Sequence, residues 1–324
     1  MVEINYLQAI KLGLSEELKR DKSVFIIGED VGVYGGAFKV TEGLFQKFGE
    51  KRVIDTPIAE SLIVGAAIGA SYTGLRPVAE MQFADFIADG FDQIVNEAAK
   101  SHYRWGVNVP IVIRAPFGGN LHGGPFHSQC PEGWFFHTPG LKVVAPATPY
   151  DAKGLIKSAI RDDDPVIYFE HKYLYRRIKQ NIPDEEFLVP IGKGEIKRKG
   201  SDISIITYSS MVHTALEAGE KLSGEGISLE IVDLRTLSPL DEDLILSSVK
   251  KCGKVIILYE ANRSGGVGAE VAAIIAEEGF NYLDAPPVRI SGFDTPVPYS
   301  PPMEEFYLPS VDDVVRAAKK LASY

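Results

Sequence analysis

The feature that most constrains the fold is an uncharged run from Leu62 to Leu75, which directly follows residues 55–61 (DTPIAES). Thr56 is a residue type that caps helices, and Pro57 suits the first helical position, since no N–H is needed there. The turns that follow carry no charge on any face, and a helix that is apolar all round is buried on all sides. The sequence therefore predicts a helix from about Pro57 that packs deep against other elements.

Glu60 falls in the first turn of this predicted helix, one place too late to close a capping box with Thr56. Gly65 and Gly69 lie four residues apart, so that another backbone could approach the helix closely. A carboxylate at the mouth of a buried helix needs a partner, or a shifted pKa that serves chemistry. The alternative is an ordinary first-turn acid that the helix dipole favours.

For a chain of 324 residues two domains are the natural expectation. The net charge of −10 argues against nucleic acid or an anionic membrane as a partner and suits a protein that meets a basic one. The uncharged run is shorter than the roughly 20 residues that a membrane-spanning helix needs. The first residues are neither basic nor followed by an apolar signal-type segment, so we expect a cytoplasmic protein.

Apolar runs of strand length alternate with helical patterns, which predicts an α/β protein whose two domains are mainly parallel sheets with helices on both faces. The predicted strands are 24–27, 111–113, 142–145, 166–169, 203–206, 229–232 and 255–258, and the later predicted helices are 150–161, 214–222, 241–250 and 269–278. A polar stretch with prolines and glycines predicts a linker over residues 181–200. The predicted domains are therefore 1–180 and 201–324.

The segment between Ala115 and Gly140 is rich in Gly, Pro, His and aromatic residues, and a loop of that length in a compact domain is usually functional. The two cysteines, Cys130 and Cys252, make neither a disulfide framework nor a metal-binding knuckle. Cys130 lies near three histidines in sequence. It can be interpreted as a thiol nucleophile or as a small apolar residue of the loop.

Residues 264–268 place three glycines between a predicted strand and a predicted helix. A dinucleotide fingerprint needs Gly or Ala three places after Gly268, where Val271 stands, and no acidic residue closes a second strand at the right distance. We therefore expect a tight strand-to-helix turn here. The sequence has neither a phosphate-binding lysine loop nor a His-Glu-x-x-His zinc helix.

Four segments in chain order carry a resemblance to a known family: residues 56–60 (TPIAE), 80–86 (EMQFADF), 91–100 (FDQIVNEAAK) and 127–129 (HSQ). They resemble the beta chain of the thiamin-diphosphate-dependent first component of 2-oxo acid dehydrogenase complexes, in the pyruvate and branched-chain branches. The resemblance runs from about Leu18 to the C-terminus. It implies the pyrimidine-binding and C-terminal domains of the transketolase-like thiamin enzymes.

The resemblance implies a catalytic role for Glu60, which matches the family's activating glutamate. Thiamin needs an acid at its aminopyrimidine ring nitrogen so that the imino tautomer can deprotonate the thiazolium carbon. A carboxyl group in a dry interface can donate that hydrogen bond, because desolvation raises a carboxyl pKa. Phe86 matches the position that stacks on the pyrimidine ring, and the resemblance places Ile58 and Glu29 at the cofactor as well.

His127 matches the family histidine that faces the thiazolium ring and the incoming lipoyl group. A proton donor is required there, because the lipoyl disulfide must be protonated as it opens. The preceding residues 123–125 (GGP) would keep the loop bare enough for a lipoyl arm. His122 and His137 are weaker candidates, and a lone loop histidine is more often a hydrogen-bonded surface residue.

In this family a Gly-Asp-Gly motif with a downstream Asn holds Mg²⁺ and the diphosphate, and this sequence has no Gly-Asp-Gly. Residues 28–30 (GED) are the nearest imitation and lack the third position's glycine. The resemblance therefore implies that this chain supplies the pyrimidine-binding half only. An alpha chain, assembled with it as a heterotetramer, would hold Mg²⁺ and the charged end of thiamin diphosphate.

The resemblance also implies a structural monovalent cation such as K⁺, held mostly by backbone carbonyls. The matching positions are Ile111, Ala159, Ile160, Asp162 and Asp164. The family position of Asp164 is often Asn, so the sequence departs from the pattern there. Three aspartates before a proline also fit a simple solvated turn.

The activity implied is oxidative decarboxylation of pyruvate or a branched-chain 2-oxo acid, with transfer of the acyl group to lipoyl-lysine of an acyltransferase. Residues 82–86 look more like the branched-chain type than like an acetoin dehydrogenase beta chain, the neighbouring enzyme alternative. A non-catalytic scaffold would have no reason to keep Glu60, Phe86 and His127 together. The acidic region near Asp284 and the chain end at Tyr324 are expected to dock a basic domain of the acyltransferase.

Overall fold

The computed structural model describes residues 1–324, which form two compact units. The first unit comprises residues 1–117 and 134–191, and the second comprises 118–133 and 192–324. Both are built of mainly parallel strands and helices, which confirms the predicted α/β class. None of the helices is both long enough and apolar enough to cross a membrane.

In the first unit, six strands lie side by side and run parallel, in the order β6-β7-β5-β4-β2-β3. A separate antiparallel pair is formed by β1 and β8. The strands are β1 (Val2–Asn5), β2 (Val24–Gly28), β3 (Val53–Asp55), β4 (Arg76–Glu80), β5 (Val112–Phe117), β6 (Lys142–Val144), β7 (Val166–His171) and β8 (Lys179–Ile182).

The α-helices met up to β8 are α1 (Tyr6–Arg20), α2 (Leu44–Phe48), α3 (Glu60–Ser71), α4 (Ala99–Trp105), α5 (Glu132–Phe136) and α6 (Pro149–Arg161). The chain also forms a 3₁₀ segment over Ala84–Gly90 and a π-helical segment over Gln93–Ala98. Helix α6 begins as predicted, because Thr148 caps it through a hydrogen bond from the Asp151 N–H and Pro149 takes the first helical position.

Strand register brings three chain segments of the first unit to one edge of the sheet. Gly28 at the end of β2 pairs with Asp55 at the end of β3 and with Glu80 at the end of β4. Ligands of parallel α/β sheets bind outside the carboxyl ends of the strands. The loops that follow these three strands therefore emerge where such a site is expected.

The second unit is a five-stranded sheet in the order β14-β13-β10-β11-β9, parallel except for β9. The strands of this unit are β9 (Glu195–Arg198), β10 (Ile203–Thr207), β11 (Leu229–Asp233), β12 (Thr236–Ser238), β13 (Val255–Asn262) and β14 (Val288–Gly292). The helices are α7 (Met211–Ser223), α8 (Glu242–Cys252), α9 (Val267–Glu278), α10 (Pro301–Tyr307) and α11 (Val311–Ala322).

Each unit has its own apolar core. In the first, helices α1 and α6 bury Ile10, Leu14 and Ile156 against the sheet. In the second, α7 and α11 cover the sheet with side chains such as Ala215 and Val314. Each core contains strand residues that the sequence shows as short β-branched runs, the pattern of strands buried on both faces.

The predicted start of the helix after β3 is wrong by three residues. The Thr56 N–H donates to the Gly28 carbonyl at 3.0 Å and so continues the ladder between β3 and β2. The Thr56 hydroxyl is buried without a hydrogen-bond partner and caps nothing. Helix α3 instead begins at Glu60, with Ala59 as a cap residue that offers no side-chain hydrogen bond.

Helix α3 is buried on one face and exposed on the other within this chain. Ile63, Val64 and Ala67 are buried, whereas Leu62 is 56% exposed and Ala66 lies open beside it. The prediction of burial on all sides therefore does not hold for the chain alone. An apolar face that stays in water in one chain is a mark of a surface that a partner covers.

The predicted 181–200 linker contains ordered strands at both ends. Strand β8 joins the first unit by pairing with β1, and β9 joins the second unit by pairing with β11. The division by contacts falls between Ile191 and Gly192. It also groups residues 118–133 with the second unit, although the chain before and after them belongs to the first.

Candidate active site

In the first unit, Glu60 is the first residue of α3 and is only 7% exposed. Its position follows from the path of the chain, which leaves β3 at Asp55 and enters the helix after the short segment 56–59. Next to it Ile58 is 83% exposed. A buried carboxyl group beside a fully open apolar side chain is an arrangement that suits a bound organic ligand or a partner.

Phe86 lies in the 3₁₀ segment Ala84–Gly90 after strand β4 and is half-buried. Its ring packs edge-on against Phe83, with centroids 5.7 Å apart and an interplanar angle of 72°. The far end of the segment passes close to α3, because a Cβ at Gly90 would lie 3.0 Å from Val64 Cγ2 and 3.5 Å from the Glu60 carbonyl oxygen. The structure therefore brings the Phe86 segment and the start of α3 together within one unit.

Glu29 follows β2 directly and is 5% exposed. Burial raises the pKa of the Glu29 carboxyl above its ordinary value, and the negative charges of Glu60 and Asp30 raise it further. Glu29 and Glu60 are thus two buried carboxyl groups close enough to interact at the carboxyl edge of the sheet. A buried carboxyl group with a raised pKa, such as Glu29, is typical of sites that move protons.

A buried ion network lies beneath this edge, and sequence reasoning missed it. Arg114 of β5 pairs with Glu80 of β4 and, at 2.7 Å, with Glu170 of β7, and all three side chains are buried. Burial opposes the charge of Arg114, but the two carboxylates raise its pKa above the ordinary value. Strands of a parallel sheet are expected to be apolar, and the contacts among Glu80, Arg114 and Glu170 depend on how β4, β5 and β7 lie side by side. The sequence alone therefore does not indicate this network.

In the second unit, His127 lies in the loop formed by residues 118–133. A short 3₁₀ turn over Gly124–Phe126 precedes it, and the His127 N–H donates to the Gly124 carbonyl at 3.3 Å. Gly124 has φ +66, and a Cβ there would lie 2.4 Å from the Tyr299 ring. Glycine is therefore required at this position by backbone conformation and by packing.

Two buried acids of the second unit receive the first half of this loop. Glu260 of β13 accepts from the Gly119 N–H at 2.6 Å, and Glu304 of α10 accepts from the backbone N–H groups of Asn120 and His122, both at 3.1 Å. His122 Nδ1 also lies 2.7 Å from Glu304 Oε2. Sequence reasoning did not identify these acids, because both come from far along the chain.

The end of the loop is held by a third buried acid, Glu132. The Tyr208 hydroxyl donates to Glu132 Oε1 at 2.7 Å, and Oε2 has no hydrogen-bond partner. Burial raises the pKa of Glu132 to about 7, in spite of the hydrogen bond from Tyr208, and the charge of Glu260 adds to the rise. Loop 118–133 is thus bounded by acids at both ends.

A cavity of about 730 Å³ adjoins this loop within the second unit. Pro125, Phe126 and Gln129 line one side, next to His127 in sequence, and Asn262, Thr295 and Val297 are among the residues of the other. The Asn262 amide is fixed by the Phe293 carbonyl at 2.6 Å. The cavity has a mainly apolar lining with a few oriented polar groups, as small-molecule pockets do.

The remaining two candidates from this region of the sequence are His137 and Cys130. His137 is exposed after α5, in the first unit. The half-buried Cys130 thiol donates to Glu260 Oε1 at 3.6 Å, and a carboxylate neighbour disfavours the thiolate that a cysteine nucleophile needs.

The residues matching the monovalent-cation site meet around the C-terminus of α6. The carbonyls of Ile160 and Asp162 accept from Arg76, at 3.1 and 2.8 Å. The Asp162 carboxylate pairs with Lys142 at 2.6 Å, and Asp164 lies 3.2 Å from the same lysine.

The remaining oxygens of this group also have partners. The Ile111 carbonyl accepts from the Val166 N–H, and the Ala159 carbonyl accepts from the Asp162 N–H. Two protein cations, Arg76 and Lys142, therefore supply positive charge where the resemblance expects an ion. Elsewhere too, no group of three or more His, Cys, Asp or Glu side chains is arranged to hold a metal ion.

The glycine-rich segment 264–268 forms the expected tight turn between β13 and α9. Gly265 has φ +70, and a Cβ at Gly268 would lie 2.0 Å from Tyr259 Cε1. Packing of the helix against the strand therefore accounts for these glycines. Ser264 fixes the turn through hydrogen bonds from its N–H and hydroxyl to Asp294, at 2.8 and 2.7 Å.

Comparison with known proteins defines the class to which this fold and site belong. Residues 2–177 match the family model "Transketolase, pyrimidine binding domain", and residues 192–314 match "Transketolase, C-terminal domain". A solved structure titled "Split gene transketolase, inactive beta4 tetramer" superposes with a TM-score of 0.81 at 25% identity, covering 99% of this chain and 98% of that one. The molecule is a two-domain transketolase-like protein.

The relatives narrow the class. The 2-oxoisovalerate dehydrogenase subunit beta of Bacillus subtilis is 51% identical over 329 residues, and the pyruvate dehydrogenase E1 component subunit beta of the same organism is 47% identical over 326, each covering 100% of both chains. The corresponding pyruvate dehydrogenase subunit of Staphylococcus aureus is 46% identical. The chain belongs to the family of 2-oxo acid dehydrogenase beta subunits, which confirms the resemblance seen in the sequence.

Proposed function

We propose that this chain is the beta subunit of a thiamin-diphosphate-dependent 2-oxo acid dehydrogenase that is active together with an alpha chain. Its substrate would be pyruvate or a branched-chain 2-oxo acid, and its product an acyl group on lipoyl-lysine. The observation that carries the proposal is the burial of two neighbouring acids, Glu29 and Glu60, at the carboxyl edge of a domain that matches the pyrimidine-binding family model.

The residues of the first unit fit the pyrimidine end of the cofactor. Thiamin diphosphate supplies the carbanion-stabilising chemistry when it is bound. Glu60 would hold and exchange a proton at the aminopyrimidine nitrogen, and Glu29 would lie beside it as a second buried acid. Phe86 and the open side chain of Ile58 would provide apolar contacts that orient the ring and exclude water.

His127 would donate the proton that the lipoyl disulfide needs as it opens. Imidazole suits this task, because histidine is the side chain whose charge changes most readily near neutral pH. The apolar cavity lined by Pro125 and Phe126 supports the proposal, since an extended aliphatic arm needs such a surface close to the proton donor.

The open face of α3 supports an alpha partner. Leu62 and Ala66 lie exposed on this face, and a Cβ at Gly69 would meet nothing within 4 Å, so another backbone has room to approach. The structural neighbour is a split-gene transketolase described as an inactive beta4 tetramer. By analogy we propose that this chain alone lacks activity and that the alpha chain holds Mg²⁺ and the diphosphate.

Docking of a lipoyl acyltransferase is the second partnership that we propose. Its basic domain would meet the acidic second unit near Asp284 and the chain end at Tyr324, both exposed. The net charge of −10 supports this orientation. Such a contact should weaken as salt is added, because surface charges are screened beyond about 10 Å at 0.1 M ionic strength.

A monovalent cation near Asp162 and Asp164 stays a prediction. Because Arg76 and Lys142 already satisfy these oxygens, we assign the ion no part in the reaction. Thermal unfolding in potassium chloride against choline chloride of equal ionic strength tests it. A higher melting temperature in potassium supports an ion site, and identical curves contradict one.

The decisive experiment is co-expression with the alpha chain and decarboxylation assays over a panel of 2-oxo acids. Glu60→Gln should abolish turnover, whereas Glu242→Gln, an exposed acid in the first turn of α8, should not change it. If Glu60 were only a helix-dipole acid, the two changes would behave alike. Activity with acetoin and not with 2-oxo acids would favour the acetoin dehydrogenase alternative, and no activity in any complex would favour a scaffold.

A further inference from the structure

The loop that carries His127 belongs by its contacts to the second unit, although the chain enters it from β5 of the first and leaves it into α5. We propose that the C-terminal unit is the platform that holds this loop in its working shape, with Glu304 and Glu260 as positioning residues for His127. The inference rests on the proposed role of His127 as proton donor.

Glu304 is the central anchor. It is 1% exposed on α10, and its two oxygens accept separately, Oε1 from the Asn120 N–H and Oε2 from the His122 N–H. The His122 imidazole closes a second contact to Oε2. A side chain from far along the sequence thus fixes two backbone groups just before His127.

Glu260 extends the same anchoring to both sides of His127. Its Oε1 accepts from the Gly119 N–H at 2.6 Å and from the Cys130 thiol at 3.6 Å. Its Oε2 accepts from the Ser210 hydroxyl at 2.9 Å, which fixes the carboxylate to the second unit. One carboxylate therefore contacts a residue before His127 and a residue after it.

The backbone of the loop needs such anchors. Asn120 and His122 adopt left-handed conformations, with φ +64 and +55, which are unfavourable for residues with a Cβ. These are the residues whose N–H groups donate to Glu304. The hydrogen bonds to the buried carboxylate thus compensate for a conformation that the loop would otherwise leave.

Glutamine cannot replace Glu304 in this role. An amide offers one acceptor oxygen and one donor NH₂ group, while the loop presents two N–H donors to two oxygens. Whichever way the amide turns, one backbone donor loses its partner. Aspartate keeps both acceptors on a shorter arm, so Glu304→Asp should retain part of the anchoring.

Hydrogen exchange of the full chain tests directly whether Glu304 holds the loop. In Glu304→Gln the amides of residues 119–122 should exchange faster by roughly tenfold or more, as expected when a hydrogen bond to a charged group is lost. The exchange rates of these amides in Glu304→Asp should lie between those in Glu304→Gln and those in the parent protein. Glu230→Gln is the matched control, because Glu230 is equally buried and accepts from Ser248 at 2.8 Å away from the loop.

The assembled complex supplies the functional arm of the test. Glu304→Gln should lower the kcat of lipoyl acylation several-fold while decarboxylation with an artificial electron acceptor changes little, and Glu304→Asp should restore part of the loss. A merely structural role would lower both reactions together, as would a general loss of folded enzyme. The His127→Asn variant is measured beside it.

The outcomes separate the two hypotheses. Unchanged exchange at residues 119–122, or an equal change in the Glu230→Gln control, would show that Glu304 does not hold the loop, whatever the activities are. Faster exchange with normal acylation in Glu304→Gln, while His127→Asn is impaired, would overturn the positioning role alone. If His127→Asn acylates normally, the proposed proton donor is wrong, and the positioning role falls with it.

Discussion

Glu132, the buried acid at the end of loop 118–133, makes the stability of this protein depend on pH. Burial raises the pKa of Glu132 from an ordinary 4.5 to about 7. Between these values the folded chain keeps a proton that the unfolded chain has released. The contribution of Glu132 to stability is therefore fully present below about pH 4.5, falls as the pH rises through the interval, and is lost above about 7.

The magnitude follows from the interval. Each pKa unit corresponds to about 1.4 kcal/mol, so the carboxyl group costs the folded state about 3 kcal/mol at pH 8 relative to pH 4. This is a large part of the roughly 5–15 kcal/mol that stabilises a typical domain. Glu132→Gln should remove the cost, because the amide oxygen keeps the Tyr208 hydrogen bond and the NH₂ group replaces an oxygen that has no partner.

Urea unfolding followed by circular dichroism measures the effect, as the difference between Glu132→Gln and the parent at pH 5, 6, 7 and 8. As the pH rises, we expect the free energy of unfolding of the variant to increase relative to that of the parent, by up to about 3 kcal/mol at the highest pH. Glu277→Gln, an exposed acid in α9, is the control and should show a constant difference. A Glu132→Gln difference that does not change with pH would refute the reasoning.

Three further outcomes are expected. Glu60→Gln should leave the melting temperature within a few degrees of the parent, because a first-turn acid contributes at most about 1 kcal/mol, yet abolish hydrogen–deuterium exchange at the reactive thiamin carbon in the assembled enzyme; an unchanged exchange rate would contradict its catalytic role. His127→Asn should impair lipoyl acylation more than decarboxylation measured with an artificial acceptor, and equal losses would place the residue in substrate binding instead. Leu62→Asp should prevent co-purification with the alpha chain without unfolding this one, since the side chain is exposed here, and a normal complex would rule out the α3 face as the interface.

Much of the architecture was predictable from local pattern. Strands such as β10 and β11 are short β-branched runs, and helix α6 carries both a threonine cap and a proline at its first position. These signals act over a few residues and need no partner. The resemblance then identified the family, because its motifs lie in loops at the carboxyl edge of the sheet, where function is concentrated.

The sequence misled where a distant partner decides. Thr56 and Pro57 have the composition of a helix start, but strand pairing to Gly28 uses the Thr56 N–H and delays the helix to Glu60. The acids that hold the His127 loop come from β13 and α10, more than 130 residues later. No local pattern marks such contacts, and the buried pair of Glu80 and Arg114 is hidden for the same reason.

The crossing of loop 118–133 into the second unit has a consequence for biosynthesis. These residues leave the ribosome long before Glu260 and Glu304 have been made, so the loop has no anchor while the first unit folds. Neither half of the chain would be complete if the gene were cut between Ile191 and Gly192. The first fragment would carry the loop without its anchoring acids. The second would bury Glu260 and Glu304 without the loop N–H groups that donate hydrogen bonds to them. The segment that carries His127 can therefore reach its final shape only after α10 has emerged from the ribosome.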